Sequence, residues 1–283
     1  MIYLITGATG NIGSLVTERL IARRIRPRVF VRDAEKARSR YGDHAEIHVG
    51  DLSDLASLSI AAADVDVVFL VNSEPNVAAL DALAAEAAKA ARVKRLVKLS
   101  SYDAREQNVG TAVWHAAGEA AIRDKGIPFT FVQPFGFMSN ALYCANSIKN
   151  KGVLRSAAGQ GRIPFIHPTD IADVAVQALT WPEYIGESLA ITRPEALSYS
   201  QMGAIIGAAI GKEVRFEDMS EEEARVQQIA WKTSPPLLEA RLSIFRAIRD
   251  GRLAKVTETV ETVLGRKPLA FGQWAAENAD AFR

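Results

Sequence analysis

The sequence predicts an α/β fold: a doubly wound, mainly parallel sheet with a smaller, mostly helical second part. In the first half, short apolar segments alternate with alanine-rich segments of helical periodicity, which is typical of βαβ units. The apolar segments are continuous, as expected of strands buried on both faces. Among them are residues 2–5, 28–31 and 66–71.

The remaining elements of the first half follow in order. A first helix is predicted where apolar residues recur at helical spacing over 12–21. Strands are predicted at 95–99 and 129–132, and helices at 77–91 and 110–125. The last of these helices stops at Gly126, a residue type that favours the left-handed conformation after a helix end.

The second half has a looser rhythm. Strands are predicted at 163–166 and 188–191, and helices at 171–181, 199–210, 221–231, 237–248 and 273–282. Ser198 with Gln201, and Ser220 with Glu223, have the spacing of capping boxes. We expect one domain over residues 1–150 and a lobe over 151–283, with some segments of the lobe returning to the first domain.

Composition restricts the function classes. The 283 residues include 34 Lys and Arg against 33 Asp and Glu, so the net charge of +1 argues against a basic nucleic-acid binder. The single cysteine, Cys144, excludes an intrachain disulfide and a cysteine zinc cage. No apolar run reaches the roughly 18 residues of a membrane span, and the N-terminus does not resemble a signal peptide. We expect a cytoplasmic protein without a metal, membrane or nucleic-acid partner.

The strongest motif is a glycine triplet directly after the first strand. Residues 6–13 read TGATGNIG and open a helix. Glycine adopts the φ values of a tight turn cheaply, and it lets a pyrophosphate approach the backbone at a helix N-terminus. The context predicts a Rossmann-type dinucleotide site. We assign Gly7, Thr9, Gly10, Asn11 and Ile12 to it.

The end of the second strand bears on the choice of dinucleotide. An NAD site usually has an acidic residue there, whereas this strand ends in Arg32. A guanidinium suits a 2′-phosphate by charge and geometry, and Lys36 adds a second cation. Asp33 could instead reach the ribose. We therefore favour NADP(H), with NAD(H) as the less favoured cofactor.

Other candidates follow later strands. A third strand is expected to end at residues 48–50, directly before Asp51. Asp51 and Leu52 are predicted beside the adenine, although Asp51 or Ser53 could instead cap the next helix. Val71 and Asn72 close the fourth strand, where Asn72 is a candidate for the ribose region.

Two further groups fall at the ligand-binding edge of the predicted sheet. Ser100 is predicted at the nicotinamide ribose and Ser101 or Tyr102 at the substrate, with capping of the following turn as the alternative for the two serines. After the sixth strand, we assign cofactor contacts to Pro134, Phe135 and Phe137. The alternative for the aromatic residues is core packing.

These motifs resemble the NmrA-like group of atypical short-chain dehydrogenase/reductases. Besides TGATGNIG and Arg32, the resemblance rests on residues 98–101, 115–128, 134–140, 167–172 and 265–268, and it covers essentially the whole chain. The group includes NAD(P)H:quinone oxidoreductases, triphenylmethane-dye reductases, clavine-type iminium reductases and non-catalytic redox sensors. The resemblance implies a Rossmann domain and a substrate-binding lobe.

The sequence departs from the wider family at one place. Short-chain dehydrogenases generally pair a Tyr base with a Lys four residues later, and here His115 and Glu119 occupy those places. Alcohol dehydrogenation is therefore not expected. We predict hydride transfer from NADPH to a small conjugated acceptor such as a quinone, dye or imine, with His115, Tyr102 or Ser101 on the substrate side.

Three alternatives remain open at this stage. His115 could merely be paired with Glu119 rather than donate a proton. The protein could be a redox sensor that binds NADP(H) without turnover, or a biosynthetic reductase of narrow specificity. It could be a monomer or a homodimer.

Overall fold

The computed structural model describes residues 1–72, 75–102 and 109–283. The strands are β1 Tyr3–Thr6, β2 Arg28–Val31, β3 Glu46–Val49, β4 Val67–Val71, β5 Arg95–Leu99, β6 Phe129–Pro134, β7 Val153–Ser156, β8 Arg162–Ile163, β9 Ser188–Ile191, β10 Leu197–Ser198 and β11 Arg215–Asp218. The helices are α1 Asn11–Ala22, α2 Ala34–Tyr41, α3 Leu55–Ala62, α4 Val77–Ala90, α5 Ala112–Asp124, α6 Ala145–Lys151, α7 Pro168–Thr180, α8 Tyr199–Ile210, α9 Glu221–Ala230, α10 Pro235–Arg249, α11 Thr259–Leu264 and α12 Phe271–Glu277.

The chain divides into two compact units. The first comprises the described residues within Met1–Gln107, Ala112–Pro134 and Pro168–Ala190. The second comprises those within Asn108–Thr111, Phe135–His167 and Ile191–Arg283. The functional division into a cofactor domain over 1–150 and a substrate lobe over 151–283 remains a prediction.

A seven-stranded sheet organises the first unit, and it confirms the predicted fold class. Its strand order is β3-β2-β1-β4-β5-β6-β9, and the strands from β3 to β6 pair in parallel. The order reverses between β1 and β4. Ligands of open α/β sheets bind at such a switch point, outside the carboxyl ends of the strands.

Helices cover both faces of this sheet. On one face, α3, α4 and α5 pack over the alternate strand residues Leu4, Val68, Leu70 and Leu96. On the other, α1 packs against α7. Strands that helices cover on both faces carry apolar residues on both faces, which explains the continuous apolar runs in the sequence.

The second unit is mostly helical. Its strands form two small sheets, β8 with β10 and β7 with β11. One buried cluster comprises Ala157, Met219, Ala224, Leu238 and Leu242.

Helix ends mostly agree with the sequence. Both predicted capping boxes are present, at Ser198 and Ser220, and Gly126 has a φ of +67°. One predicted cap is wrong: Asp54, and not Asp51 or Ser53, caps α3 by accepting from the Ala56 amide at 3.0 Å. The chain makes a further turn between Asp51 and Asp54 before α3 begins, so Asp54 occupies the N-cap position.

Candidate cofactor and active site

The glycine turn between β1 and α1 is tightly built. Gly7 has a φ of +59°, a conformation that side chains other than glycine adopt with strain. The Gly10 amide donates to the Gly7 carbonyl at 2.9 Å. A Cβ placed on Gly13 would lie 2.2 Å from the same Gly7 oxygen. The first turn of α1 therefore packs directly on the backbone of the preceding loop.

Neighbouring side chains hold this turn in place. The buried Tyr41 hydroxyl donates to the Ala8 carbonyl at 2.5 Å. The Val71 amide donates to the Thr6 hydroxyl at 2.8 Å, and a Cβ on Gly7 would meet Val71 at 3.1 Å. The turn after β1 and the end of β4 thus form one packed unit at the switch point.

The N-terminus of α1 carries no side-chain cap. Gly10 is the N-cap residue in extended conformation, with no side-chain hydrogen bond to the helix amides. Gly10 and Asn11 are exposed, whereas Ile12 is buried. An uncapped N-terminus retains the positive end of the helix dipole, which favours an anion.

At the end of β2, the structure separates the two residues that bear on the cofactor choice. The Asp33 carboxylate accepts from the Lys36 amide at 3.0 Å and caps α2. Arg32 and Lys36 have exposed side chains, and no ion pair of either is recorded within the described ranges. The carboxylate is therefore engaged at its own helix, while the two cations remain available to a ligand.

Asp51 lies near enough to Arg32 for the two charges to interact. Its carboxylate accepts from the Ser53 amide at 2.9 Å and from the Ser53 hydroxyl at 2.6 Å. These hydrogen bonds, and to a smaller extent the Arg32 charge, hold the pKa of Asp51 below its ordinary value. Leu52 is partly buried against the core beneath α3.

A buried polar cluster lies at the carboxyl ends of β4 and β5. The Lys98 ammonium lies 2.6 Å from an Asp81 oxygen, and both side chains are 0% exposed. The Asn72 amide nitrogen donates to the other Asp81 oxygen at 3.4 Å and to the Val77 carbonyl at 3.5 Å. Burial raises the pKa of Asp81 above its ordinary value, and the Lys98 charge opposes only part of that effect.

A second polar network centres on Glu119. Its carboxylate accepts from the Ser100 hydroxyl at 2.5 Å, from the Gln133 amide at 2.7 Å and from Arg123 at 3.1 Å. Glu119 is buried on α5. Ser100 therefore donates its hydroxyl to this network.

His115 stands apart from Glu119, although the two residues share a helix face. It is 8% exposed, and its Nδ1 has no hydrogen-bond partner among the described residues. Burial first, and then the Lys98 charge, lower the pKa of His115 to about 3. The imidazole is neutral at physiological pH. The alternative pairing of His115 with Glu119 is not found, and that carboxylate accepts from Ser100, Gln133 and Arg123.

The remaining predicted residues divide between the units. Ser101 and Tyr102 are half-buried beyond the end of β5, and Pro134 ends β6 in the first unit. Phe135 is buried and Phe137 half-buried in the second unit. The roles assigned to these five residues remain predictions.

Sequence reasoning overlooked Asp81 and the buried position of Lys98. A signal existed, because Asp81 falls on the face of α4 that carries the buried residues Val77, Ala84 and Ala88. An acidic side chain at a core position of an alanine-rich helix indicates a buried partner. Tyr41 was also overlooked, since its contact with Ala8 joins residues 33 positions apart.

Comparison with known proteins decides the family. A family model described as NAD(P)H-binding matches residues 7–182. The chain belongs to this NAD(P)H-binding family. The match includes the glycine turn, Arg32 and the buried cluster, and it confirms the resemblance to NmrA-like atypical short-chain dehydrogenase/reductases.

Relatives of this NAD(P)H-binding chain match over nearly their whole lengths. The (4-alkanoyl-5-oxo-2,5-dihydrofuran-3-yl)methyl phosphate reductase of Streptomyces griseus is 38% identical, over 99% of this chain and 98% of the relative. The NAD(P)H azoreductase of Xenophilus azovorans is 34% identical, with 99% and 98% covered. The NADPH complex of an Escherichia coli quinone oxidoreductase has a TM-score of 0.87 and 25% identity, covering 98% of this chain and 99% of that one.

No group of His, Cys, Asp and Glu within the described ranges could hold a metal ion. Among the same residues, no helix has both the length and the apolar character needed to cross a bilayer.

Proposed function

We propose that this protein is an NADPH-dependent reductase that transfers a hydride to a small conjugated acceptor such as a quinone, a dye or an imine. One observation carries the proposal: the glycine turn opens α1 at the switch point of the sheet, in a chain of the NAD(P)H-binding family. The relatives of 38% and 34% identity, matched over nearly their whole lengths, are named reductases.

The glycine turn fits a pyrophosphate. A side chain is disfavoured at Gly7 by its φ of +59°, and one at Gly13 would collide with the Gly7 carbonyl. The backbone is therefore open to close approach, and the N-cap residue Gly10 has no side chain that could cap the first turn of α1. In this proposal the diphosphate is held by Gly7, Thr9, Gly10, Asn11 and Ile12.

The basic pair after β2 supports NADP(H) over NAD(H). Arg32 and Lys36 hold the 2′-phosphate in this proposal, since Asp33 is engaged in capping α2. Asp51 and Leu52 flank the adenine. The half-buried Asp51 carboxylate lies near enough to Arg32 to be influenced by its charge.

Deeper in the site, the nicotinamide end of the cofactor supplies the hydride when it is bound. The chain's part is to orient and to exclude water. Val71, Asn72 and Ser100 are assigned to the ribose region at the ends of β4 and β5. Pro134, Phe135 and Phe137 are assigned to the nicotinamide ring.

The acceptor needs a proton after it has received a hydride. The source of this proton differs from that in typical short-chain dehydrogenases, because the chain has His115 and Glu119 in place of their Tyr and Lys. The hydroxyls of Ser101 and Tyr102 are the proposed donors near the end of β5. Because His115 is neutral, it can donate a single N–H hydrogen bond but does not act as an imidazolium acid. A conjugated acceptor is reduced without a strong acid, because hydride addition delocalises the charge.

The names of the relatives indicate one substrate feature. The dihydrofuranone phosphate carries a carbon–carbon double bond conjugated with carbonyls, azo dyes carry an electron-poor N=N bond, and quinones are conjugated dicarbonyls. The identity of 38% over the whole chain favours a narrow biosynthetic reductase as the second candidate. A cytoplasmic monomer or homodimer remains the prediction for location and assembly.

A substrate panel tests the proposal. Oxidation of NADPH is followed with quinones, azo and triphenylmethane dyes, cyclic imines and acyl-butenolide phosphates, and with NADH in parallel; for coloured acceptors, the products are quantified after chromatographic separation. We expect turnover with NADPH and at least one acceptor class. Binding of NADPH without turnover across the panel would contradict the reductase and support a redox sensor.

The neutral His115 leads to a pH prediction. Its folded-state pKa of about 3 lies below the 6.5 of a free imidazole, so the unfolded chain binds more protons between these values. Stability is therefore lost as the pH falls through 6.5 towards 3. We expect His115→Gln to reduce this loss between pH 7.5 and about 5 in urea unfolding, because the replacement does not titrate.

The matched control is His44→Gln, since His44 is exposed on the surface of the first unit. The His44→Gln variant should lose as much stability as the wild type when the pH falls. Parallel losses in the wild type and in His115→Gln would contradict the prediction. The pH dependence of turnover is measured in both proteins. If an ionisation near pH 6.5 is present in the wild type and absent from His115→Gln, His115 is the proton donor.

A further inference from the structure

Two fully buried side chains of opposite charge in the first unit are assigned no contact with cofactor or substrate in the proposed function. Asp81 on α4 and Lys98 on β5 form an ion pair of 2.6 Å with no exposed side-chain surface. Gly118 on α5 makes room for the pair, since a Cβ there would lie 2.1 Å from an Asp81 oxygen. Three elements are therefore fitted around one carboxylate.

Stability alone does not explain such a pair. Removing two charges from water costs several kcal/mol per ion, and apolar residues of similar size often stabilise a core as well or better. The surroundings here are apolar, because α4, α5 and the sheet share one hydrophobic cluster. The carboxylate needs a different explanation.

The contacts of Asp81 indicate what that explanation is. The oxygen that does not contact Lys98 accepts from the Asn72 amide nitrogen at 3.4 Å. Asn72 directly follows β4, and its neighbour Val71 packs on Gly7 of the glycine turn. One buried acidic side chain thus connects the core to the carboxyl end of β4 at the switch point.

We infer that Asp81 is a positioning residue for the cofactor: it orients the Asn72 side chain at the end of β4, and Lys98 balances its charge. This inference rests on the proposed function, which assigns Asn72 to the ribose region. An amide side chain can rotate about its last bond and present either its oxygen or its nitrogen. An acceptor fixed beneath it selects one orientation before the cofactor arrives, which lowers the entropic cost of binding.

The role of Lys98 follows from charge balance. An unpaired carboxylate at this depth would take up a proton or distort the core. The Lys98 ammonium opposes protonation of Asp81, which favours the carboxylate oxygens as acceptors. Hence removing both charges while keeping an acceptor at position 81 should preserve the function.

The test compares two double variants. Asp81→Asn/Lys98→Met keeps a carbonyl oxygen that can accept from Asn72, whereas Asp81→Leu/Lys98→Met does not. We expect the first to retain the wild-type Kd for NADPH, measured by fluorescence titration. The second should raise Kd about tenfold, the change that one lost hydrogen bond of roughly 1.4 kcal/mol produces. Asp81→Ala/Lys98→Met replaces it, with the same expectation, if the leucine variant does not fold.

A matched control separates positioning from a general loss of stability. Arg95 is a buried cation at the opposite end of β5, where it donates to the Trp181 carbonyl at 2.7 Å. Arg95→Met should lower the melting temperature and leave the Kd of the folded protein unchanged. Asn72→Ala should raise the Kd for NADPH as much as Asp81→Leu/Lys98→Met does. Adding Asn72→Ala to that double variant should cause no further increase in Kd.

The outcomes are distinct. Equal NADPH affinity in both double variants, whether high or low, overturns the inference. The inference is also overturned if the fold increases in Kd caused by Asn72→Ala and by Asp81→Leu/Lys98→Met multiply when the substitutions are combined. A wild-type protein that does not bind NADPH overturns the proposed function itself.

Discussion

Gly13→Ala lowers the melting temperature by about 5–10 °C and weakens NADPH binding at least about tenfold. The new Cβ would lie 2.2 Å from the Gly7 oxygen and 2.7 Å from the Gly7 carbonyl carbon. Both are backbone atoms, so no side-chain rotation relieves the contact. Overpacking of this kind costs about 1–3 kcal/mol, which for a domain of this size is several degrees. Thermal unfolding and NADPH titration measure the two effects.

Gly272→Ala is the matched control. Gly272 lies in the short helix α12, and a Cβ there would have its nearest neighbour at 3.8 Å. Because alanine has a higher helix propensity than glycine, this variant should be neutral or slightly more stable. A Gly13→Ala protein as stable as the Gly272→Ala protein would contradict the packing described for the glycine turn.

Arg32→Ala raises the Kd for NADPH about 10–150-fold and leaves the Kd for NADH within about twofold. The expected range corresponds to the roughly 1.5–3 kcal/mol of hydrogen bonds to charged groups. NADH is unaffected because it lacks the 2′-phosphate. Titration of both cofactors with the wild type and the variant measures the ratio directly.

Arg38→Ala controls for the general basic character of residues 23–40. Arg38 is exposed on the same helix as Lys36, so its loss removes one charge from the segment and leaves the end of β2 intact. We expect little change in either Kd. If Arg32→Ala leaves NADPH affinity unchanged while NADH still binds weakly, the 2′-phosphate lies elsewhere.

Local patterns were sufficient for most elements. Both capping boxes, the left-handed Gly126 and the glycine turn could be predicted because each depends on residues within a few positions of one another. Asp33 was ambiguous in the sequence. Its carboxylate caps α2 in the structure, a local contact that the sequence permits but does not require, since a ribose hydroxyl would also suit an acidic side chain at that point.

The polar cluster could not be predicted in the same way. Asp81 and Lys98 are 17 positions apart and meet only because β4, β5 and the flanking helices pack together. The charge state of His115 has the same origin: an exposed imidazole titrates near neutrality, and burial with Lys98 lowers its pKa to about 3. Glu119 likewise accepts from donors 14 and 19 positions away rather than from the histidine on its own helix.

By itself, the sequence determined the α/β class, the strand-turn-helix with its glycine triplet, the basic end of β2 and the resemblance to a reductase family. These features arise from periodicity, turn chemistry and residue type over short distances. Only the tertiary structure decided which polar groups are buried, which partners they have and which charges they carry. Burial and pairing depend on which distant segments meet, and the energy of a charge depends on the dielectric and the partners around it.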